Sequence, residues 1–313
     1  MILFFYKDSY GKPCSPRLEV NPRVANSSFE CTDSCLRGQE LFFSKSLSPK
    51  GDASCADCHI PEFSFSDKLQ QAQLRGRKLW TSRTPSLIDI HRQKAPFFWN
   101  GRSQNFESAI FWPLYHPDEL DSSDEILKRF GGVELVVKSI AAYLSSLLTG
   151  LAPIDRYLAG DCSVLTTKER SGLKQFLALS CNNCHGGTEF DGGMHELSYK
   201  NLPENYFIKK EVAYISDVAL HDGYKKEMRL ISKARSLRNL LMKGPPYGRF
   251  GQGLELKEFL TYHVWQLGLS ELDDDSDLLE FLNHALASER ELTDRSGFNS
   301  TGCLNSKSSQ CVF

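Results

Sequence analysis

Cys55-Ala56-Asp57-Cys58-His59 and Cys181-Asn182-Asn183-Cys184-His185 decide the reading of this chain. Both are Cys-x-x-Cys-His pentapeptides, the pattern that attaches a c-type haem. With 10 Cys and 8 His in 313 residues, roughly 0.01 copies are expected by chance, so two copies carry information. The spacing has a chemical reason. Two thiols separated by two residues can each add to a vinyl group on one edge of a porphyrin, and the histidine that follows is then placed beneath the ring as an iron ligand. Two other readings compete. A zinc site built from paired Cys-x-x-Cys units leaves the histidines at identical offsets unexplained, and a thioredoxin-like redox pair lacks a strand–helix context here.

Six cysteines remain: Cys14, Cys31, Cys35, Cys162, Cys303 and Cys311. An even remainder in a protein whose haems are attached outside the cytoplasm suggests up to three disulfides, with 15 connectivities open, and buried free thiols as the alternative. Their role would be to tie both ends, rich in Ser, Asn, Gly and Pro, to the body. The same logic predicts a periplasmic location. Met1-Ile2-Leu3-Phe4-Phe5 runs at once into Tyr6-Lys7-Asp8 and lacks the charged n-region and longer apolar h-region of a secretory signal. The expectation is a signal already removed or a true start further upstream.

Hydrophobic residues make up 41 %, charged residues 24 % and aromatic residues 11 %, enough for a substantial core, so disorder and collagen-like repeats are excluded and two domains are expected. Lys+Arg 37 against Asp+Glu 39 gives a net charge of -2, which offers no electrostatic reason for nucleic acid or an anionic membrane as partner. The longest mostly apolar stretch, Ile140 to Ile154, is interrupted by Ser145, Ser146, Thr149 and Gly150 and is too short to span a bilayer, so a soluble protein without membrane insertion is expected.

The motifs lie 126 positions apart and similar features follow each, which reads as an internal duplication of one haem domain. Thr84-Pro85-Ser86-Leu87 and Phe97-Phe98-Trp99-Asn100-Gly101-Arg102 follow the first; Ala234-Arg235-Ser236-Leu237 and Pro245-Pro246-Tyr247 follow the second. Apolar spacing predicts helices over Gly38 to Ser44, Asp124 to Phe130, Val133 to Leu148, Lys168 to Leu179, Leu256 to Trp265 and Asp277 to Leu286, with caps in 121–124 and 275–277. Alternating strand patterns are scarce. The fold expected is mainly α: two cytochrome c-like domains, 37–165 and 166–290, flanked by loop-rich extensions 1–36 and 291–313.

Over about residues 37 to 290 the chain resembles the bacterial dihaem cytochrome c peroxidases and their relative MauG, and it falls nearer the MauG-like branch. The likeness rests on Gln39-Glu40-Leu41-Phe42-Phe43, Thr84-Pro85-Ser86-Leu87, Phe98-Trp99-Asn100-Gly101-Arg102, Pro113 to Glu119, Ser236-Leu237-Arg238-Asn239 and Pro246-Tyr247. It implies a peroxidatic first haem and an electron-transfer second haem, with Trp99 relaying between them; a packed core aromatic is the alternative. It assigns peroxide acid/base chemistry to Glu119, held near the haem by Pro113, against the reading of a solvated surface glutamate. The matching position for the family's pocket glutamine is Ala109. The family's blocking histidine is absent between His59 and His91, which implies a first haem open without prior reduction.

Where the peroxidases place an axial methionine after Pro-Tyr, this chain has Gly248. Tyr247 is then the nearest second-haem ligand, a phenolate that favours oxidised iron, with Met194, Met228 or Met242, or no protein ligand, as alternatives. His91, His116, His195, His221, His263 and His284 have no ligand spacing and read as surface or packing residues. The family often holds calcium between its domains. Arg83 stands where an asparagine ligand is expected, which weakens that expectation.

Three functions follow from the resemblance. The first is a MauG-like oxidase that uses hydrogen peroxide to oxidise Trp or Tyr side chains of a partner protein at a distance. The second is a cytochrome c peroxidase fed by a small cytochrome or copper protein. The third is a dihaem electron-transfer cytochrome without catalysis.

Overall fold

Thr32 accepts a hydrogen bond from the Cys35 amide and so starts helix α1 at Asp33–Phe43, five residues earlier than apolar spacing placed it. The turn is further closed by a disulfide between Cys31 and Cys35. The computed structural model describes residues 14, 20–23, 31–74, 77–78, 82–200, 227–269 and 275–288. Cys303 and Cys311, most of the two extensions and His221 lie outside the described residues. Cys14 pairs with Cys162, tying the chain start to the body as expected of a disulfide there, whereas the Cys31–Cys35 bridge is local.

Helix α1 crosses α4 (Val133–Ser146) with its backbone in contact. A Cβ added at Gly38 would lie 1.8 Å from the Ser139 carbonyl oxygen, so only glycine permits this crossing. Between them run α2 (Phe106–Tyr115), capped by Asn105, and α3 (Asp124–Lys128), capped by Ser123 within the predicted 121–124 region. The first hydrophobic cluster forms here around Leu41, Phe42, Phe65, Ile140 and Tyr143. The rings of Phe42, Phe65 and Tyr143 contact one another with centroids 5.4 to 6.4 Å apart.

A second hydrophobic cluster lies further along the chain. Helices α5 (Pro153–Leu158) and α6 (Thr167–Ala178) precede the second motif, and Thr166 and Glu169 form a reciprocal capping box at the start of α6. After α7 (Leu240–Lys243) and α8 (Leu256–Gln266), α9 (Ser276–Glu280) continues as a π-helical turn over Phe281–Ala285, where sequence spacing predicted one regular helix. Asp275 occupies the cap position but makes no side-chain cap bond. Phe176, Phe190 and Phe281 form a second ring triad with centroids 5.5 to 6.3 Å apart. Ala152, Ile154, Tyr157, Leu158 and Leu165 pack in this cluster.

The fold is mainly α, and among the described residues there are two antiparallel strand pairs that the sequence did not signal. Strands β1 (Gln73–Leu74) and β2 (Arg77–Lys78) form one; β3 (Met194–Lys200) and β4 (Glu227–Lys233) form the other, in register from Met194–Lys233 to Lys200–Glu227. β3 reads Met-His-Glu-Leu-Ser-Tyr-Lys, without the β-branched residues that mark a strand, and its partner lies beyond a long intervening segment. Among the described residues no helix is long and apolar enough to cross a membrane.

A buried charge network joins the two clusters. Arg23 donates to Glu189 through Nε at 2.8 Å, to Asp89 at 2.9 Å and to Thr149 at 2.9 Å, while Arg238, fully buried, pairs with Asp155 at 2.6 Å. Fully desolvated charges persist only when paired in this way.

Candidate haem sites

Each Cys-x-x-Cys-His motif folds as a short 3-10 turn on the floor of a cavity, Cys55–Asp57 in the first and Cys181–Asn183 in the second. The turn is dictated locally: the His59 amide donates to the Cys55 carbonyl at 2.9 Å, and the His185 amide to the Cys181 carbonyl at 2.8 Å. The four motif cysteines are free of disulfides. Burial pushes the Cys55 and Cys58 thiols up to about 12 and the Cys181 thiol up to about 11. Among the described residues no group of three His, Cys, Asp or Glu converges as a metal cluster, so the paired-Cys zinc reading has no geometry behind it.

His59 Nδ1 lies 2.9 Å from the Phe65 carbonyl and His185 Nδ1 lies 3.1 Å from the Phe190 carbonyl. A carbonyl only accepts, so in both rings Nδ1 carries the proton and Nε2 the lone pair that iron needs. Burial pushes both imidazoles down to about 4, holding them neutral. The two floors therefore suit covalent haem. Arg83 lines both cavities, and its guanidinium, whose buried Nε has no hydrogen-bond partner, suits an anionic group such as a haem propionate.

The first cavity, about 540 Å³, is lined beside the motif residues by Phe98, Phe106, Ala109, Pro113, His116 and Glu119. Pro113 sits inside α2, and its carbonyl accepts the Leu120 amide at 3.2 Å while the Glu119 amide donates to the His116 carbonyl at 2.9 Å. The chain thus folds back at the end of α2 and brings Glu119, half-buried, into the wall instead of into solvent. Arg102, lodged 3.5 Å over the Phe98 ring, interacts with the Glu119 charge, which counters the lowering of its pKa by burial. Ala109 lines the same wall and brings no hydrogen-bonding group. His116 also lines this cavity, contrary to its sequence reading; its Nδ1 accepts from the Asp118 amide at 3.2 Å.

The second cavity, about 230 Å³, is lined by Tyr247, Phe259, His263, His195 and Lys243. Tyr247 is buried beside the His185 floor. A Cβ at Gly248, whose φ is +81°, would lie 2.6 Å from the Phe259 ring, so no longer side chain fits there. Met194 lies against Gly101 and Met242 packs on the first cluster, neither lining this cavity; the Met228 side chain lies outside the description. His263, read from the sequence as a surface or packing residue, stacks on Phe259 and lines the cavity, and burial lowers its pKa. No sequence signal distinguishes it, because only the placement of α8 brings it there.

Trp99 lines both cavities. Its Nε1 donates to the Arg83 carbonyl at 2.9 Å, and the Arg235 guanidinium lies 5.5 Å over its ring.

Two neighbouring cavities, each floored by a haem-attachment turn and sharing one indole, define a two-centre c-type haem protein. A family model described as di-haem cytochrome c peroxidase matches residues 35–163. The methylamine utilization protein MauG of Methylorubrum extorquens is 30 % identical over 252 residues, 72 % of this chain and 67 % of that protein. The cytochrome c551 peroxidase of Pseudomonas aeruginosa is 24 % identical over 287 residues, 81 % of this chain and 78 % of that protein. Among solved structures, a MauG-like protein associated with microbial copper homeostasis superposes with a TM-score of 0.61 at 20 % identity, covering 88 % of this chain and 95 % of that one. The chain belongs to the dihaem cytochrome c peroxidase and MauG family, whose members are dihaem peroxidase or oxidase enzymes.

Proposed function

We propose that this chain uses hydrogen peroxide at the first site to oxidise Trp or Tyr side chains of a partner protein, the oxidising equivalents being shared with the second site through Trp99. The observation that carries the reading is the indole common to both cavities, hydrogen-bonded to a backbone carbonyl that fixes its plane. When bound, each haem supplies the redox chemistry of peroxide reduction and electron storage.

Cys55 and Cys58, and Cys181 and Cys184, anchor the two groups, and His59 and His185 present Nε2 to iron. Glu119 moves a proton between the peroxide oxygens, with Pro113 fixing the turn that presents it and the Arg102 charge close by. Tyr247 is the second-site ligand; the tight backbone at Gly248 and the positions of Met194 and Met242 support this. The reaction takes place in the periplasm, where haem attachment and the Cys14–Cys162 bridge are both compatible with an oxidising environment. The matched ring triads, His–carbonyl bonds and the paired bridges Phe97–Ser103 and Tyr247–Gly253 support an internal duplication.

The test is to mix the air-oxidised holoprotein with one equivalent of peroxide, without reductant, and follow both haem spectra. A long-lived oxidised state in which both change together supports the proposal. Reaction only after partial reduction would replace it with cytochrome c peroxidase chemistry, and no reaction with a plain electron-transfer role.

A further inference from the structure

Helix α8 carries a ring series that leads outward from the second cavity. Tyr247 stacks against Phe259 with centroids 6.3 Å apart and planes 27° from parallel, and Phe259 stacks against His263 at 5.6 Å and 17°. His263 Nδ1 lies 3.4 Å from Gln266 Oε1, and Gln266 Nε2 donates to the Tyr262 hydroxyl at 3.3 Å. The Tyr262 ring in turn meets Trp265 at 5.8 Å. Trp265 is 41 % exposed. The helical repeat accounts for the layout: Phe259 and His263, and Tyr262 and Gln266, are four apart, and Tyr262 and Trp265 three apart, so each pair shares a face.

Phe259 and His263 line the cavity, Tyr262 is half-buried, and Trp265 presents a large apolar ring to solvent at the far end. Tyrosine and tryptophan are the side chains that give up one electron most readily, and here they stand where the series reaches the surface.

We propose that Tyr262 and Trp265 form a surface oxidation site through which oxidising equivalents leave the second cavity toward a phenol or indole donor too large to enter it. This rests on the peroxide-dependent reading above and names the exit of that same chemistry. Electrons pass inward from Trp265 and Tyr262 past His263 and Phe259 toward Tyr247. Each oxidised Tyr262 gives up one electron and releases its phenolic proton to solvent; an outer phenol then returns one electron and one proton. For two donors the balance is H2O2 plus two phenols giving two waters and two phenoxyl radicals. The donor class is shared by a free phenol and a tyrosine or tryptophan on a partner protein.

The experiment treats the holoprotein with peroxide in the presence of a nitroso spin trap and maps the adducts by peptide mass spectrometry, while recording the haem spectra. Trp112 is the internal comparison. It is 50 % exposed, more than Trp265, but lies on α2, outside the ring series. Conduction along α8 predicts adducts at Tyr262 or Trp265 and not at Trp112, and their loss in the double substitution Tyr262→Phe, Trp265→Phe. Exposure alone predicts adducts at Trp112 first, which would overturn the proposal. Haem spectra that ignore peroxide would instead sink the underlying reading. Haem spectra that respond with no adduct on α8 would sink only this one. Rates with a free bulky phenol and with a tyrosine-bearing protein, compared for wild type and double variant, separate the two donor sources.

Discussion

The indole N–H of Trp99 points at the carbonyl of Arg83, 2.9 Å away, on the wall common to both cavities. A backbone carbonyl is too weak a base to take the indole proton, so this bond orients the ring while leaving it protonated. Trp99→Phe keeps a ring and removes the bond. With one equivalent of peroxide, the two haem spectra of this variant should change independently instead of together. Joint changes of wild-type rate would show that Trp99 is only packing.

Glu119 reaches the first cavity because the chain reverses after α2. Glu119→Gln retains size and removes the titrating group, so the stopped-flow rate of reaction with peroxide should fall by roughly 100-fold or more, the usual contribution of a positioned general acid/base. Glu125→Gln, on an 87 % exposed side chain, serves as the control. Equal rates in the two variants would return Glu119 to the wall of the pocket without a chemical role.

Tyr247→Phe should alter the ferric spectrum of the second haem alone, since the hydroxyl is lost and the stacking on Phe259 is kept. If the spectrum is unchanged, tyrosine is not the ligand.

The acid limb of stability is expected to run through Asp89. Burial alone would raise its pKa, but Arg23 and the Thr149 hydroxyl and amide outweigh burial and hold it lowered. A carboxyl with a lowered folded pKa contributes stability above its unfolded value, about 4, and loses it as pH falls through the lower folded value. Arg23→Met removes the main attraction. It should move the onset of acid unfolding to higher pH and cost about 3–5 kcal/mol near neutrality, because both buried carboxylates lose their nearest cation and keep only longer pairs, Asp89 with Arg92 at 3.4 Å and Glu189 with Arg238 at 3.9 Å. Circular dichroism melts across pH would read this directly, and an acid midpoint identical to wild type would contradict it.

Helices were legible where one face is buried. Val133 to Leu148 was predicted and Val133–Ser146 is found, because its apolar positions repeat at helical spacing. The early start of α1 was hidden in the Thr32 cap, and α5 and α7 are too short to show a period. The β3–β4 ladder depends on pairing between distant segments that no local pattern records. Trp99, Pro113, Glu119 and Tyr247 are named from ordered family motifs; Pro113 and Glu119 line the first cavity, Tyr247 the second, and Trp99 both. His116 and His263 were passed over, since a lone histidine without spacing looks the same in a core, on a surface or in a pocket.

The sequence by itself determined the two haem-attachment points, because thiol, thiol and imidazole need only the geometry of a single turn to act together. Tertiary structure alone decided what faces those points: which wall holds Glu119, which helix lays Phe259 against Tyr247 and His263 against Phe259, and that one indole borders both cavities. Those relations join residues from about a dozen to more than a hundred positions apart, and they exist only after helix packing and the buried Arg23–Asp89–Glu189 network have brought the two clusters together.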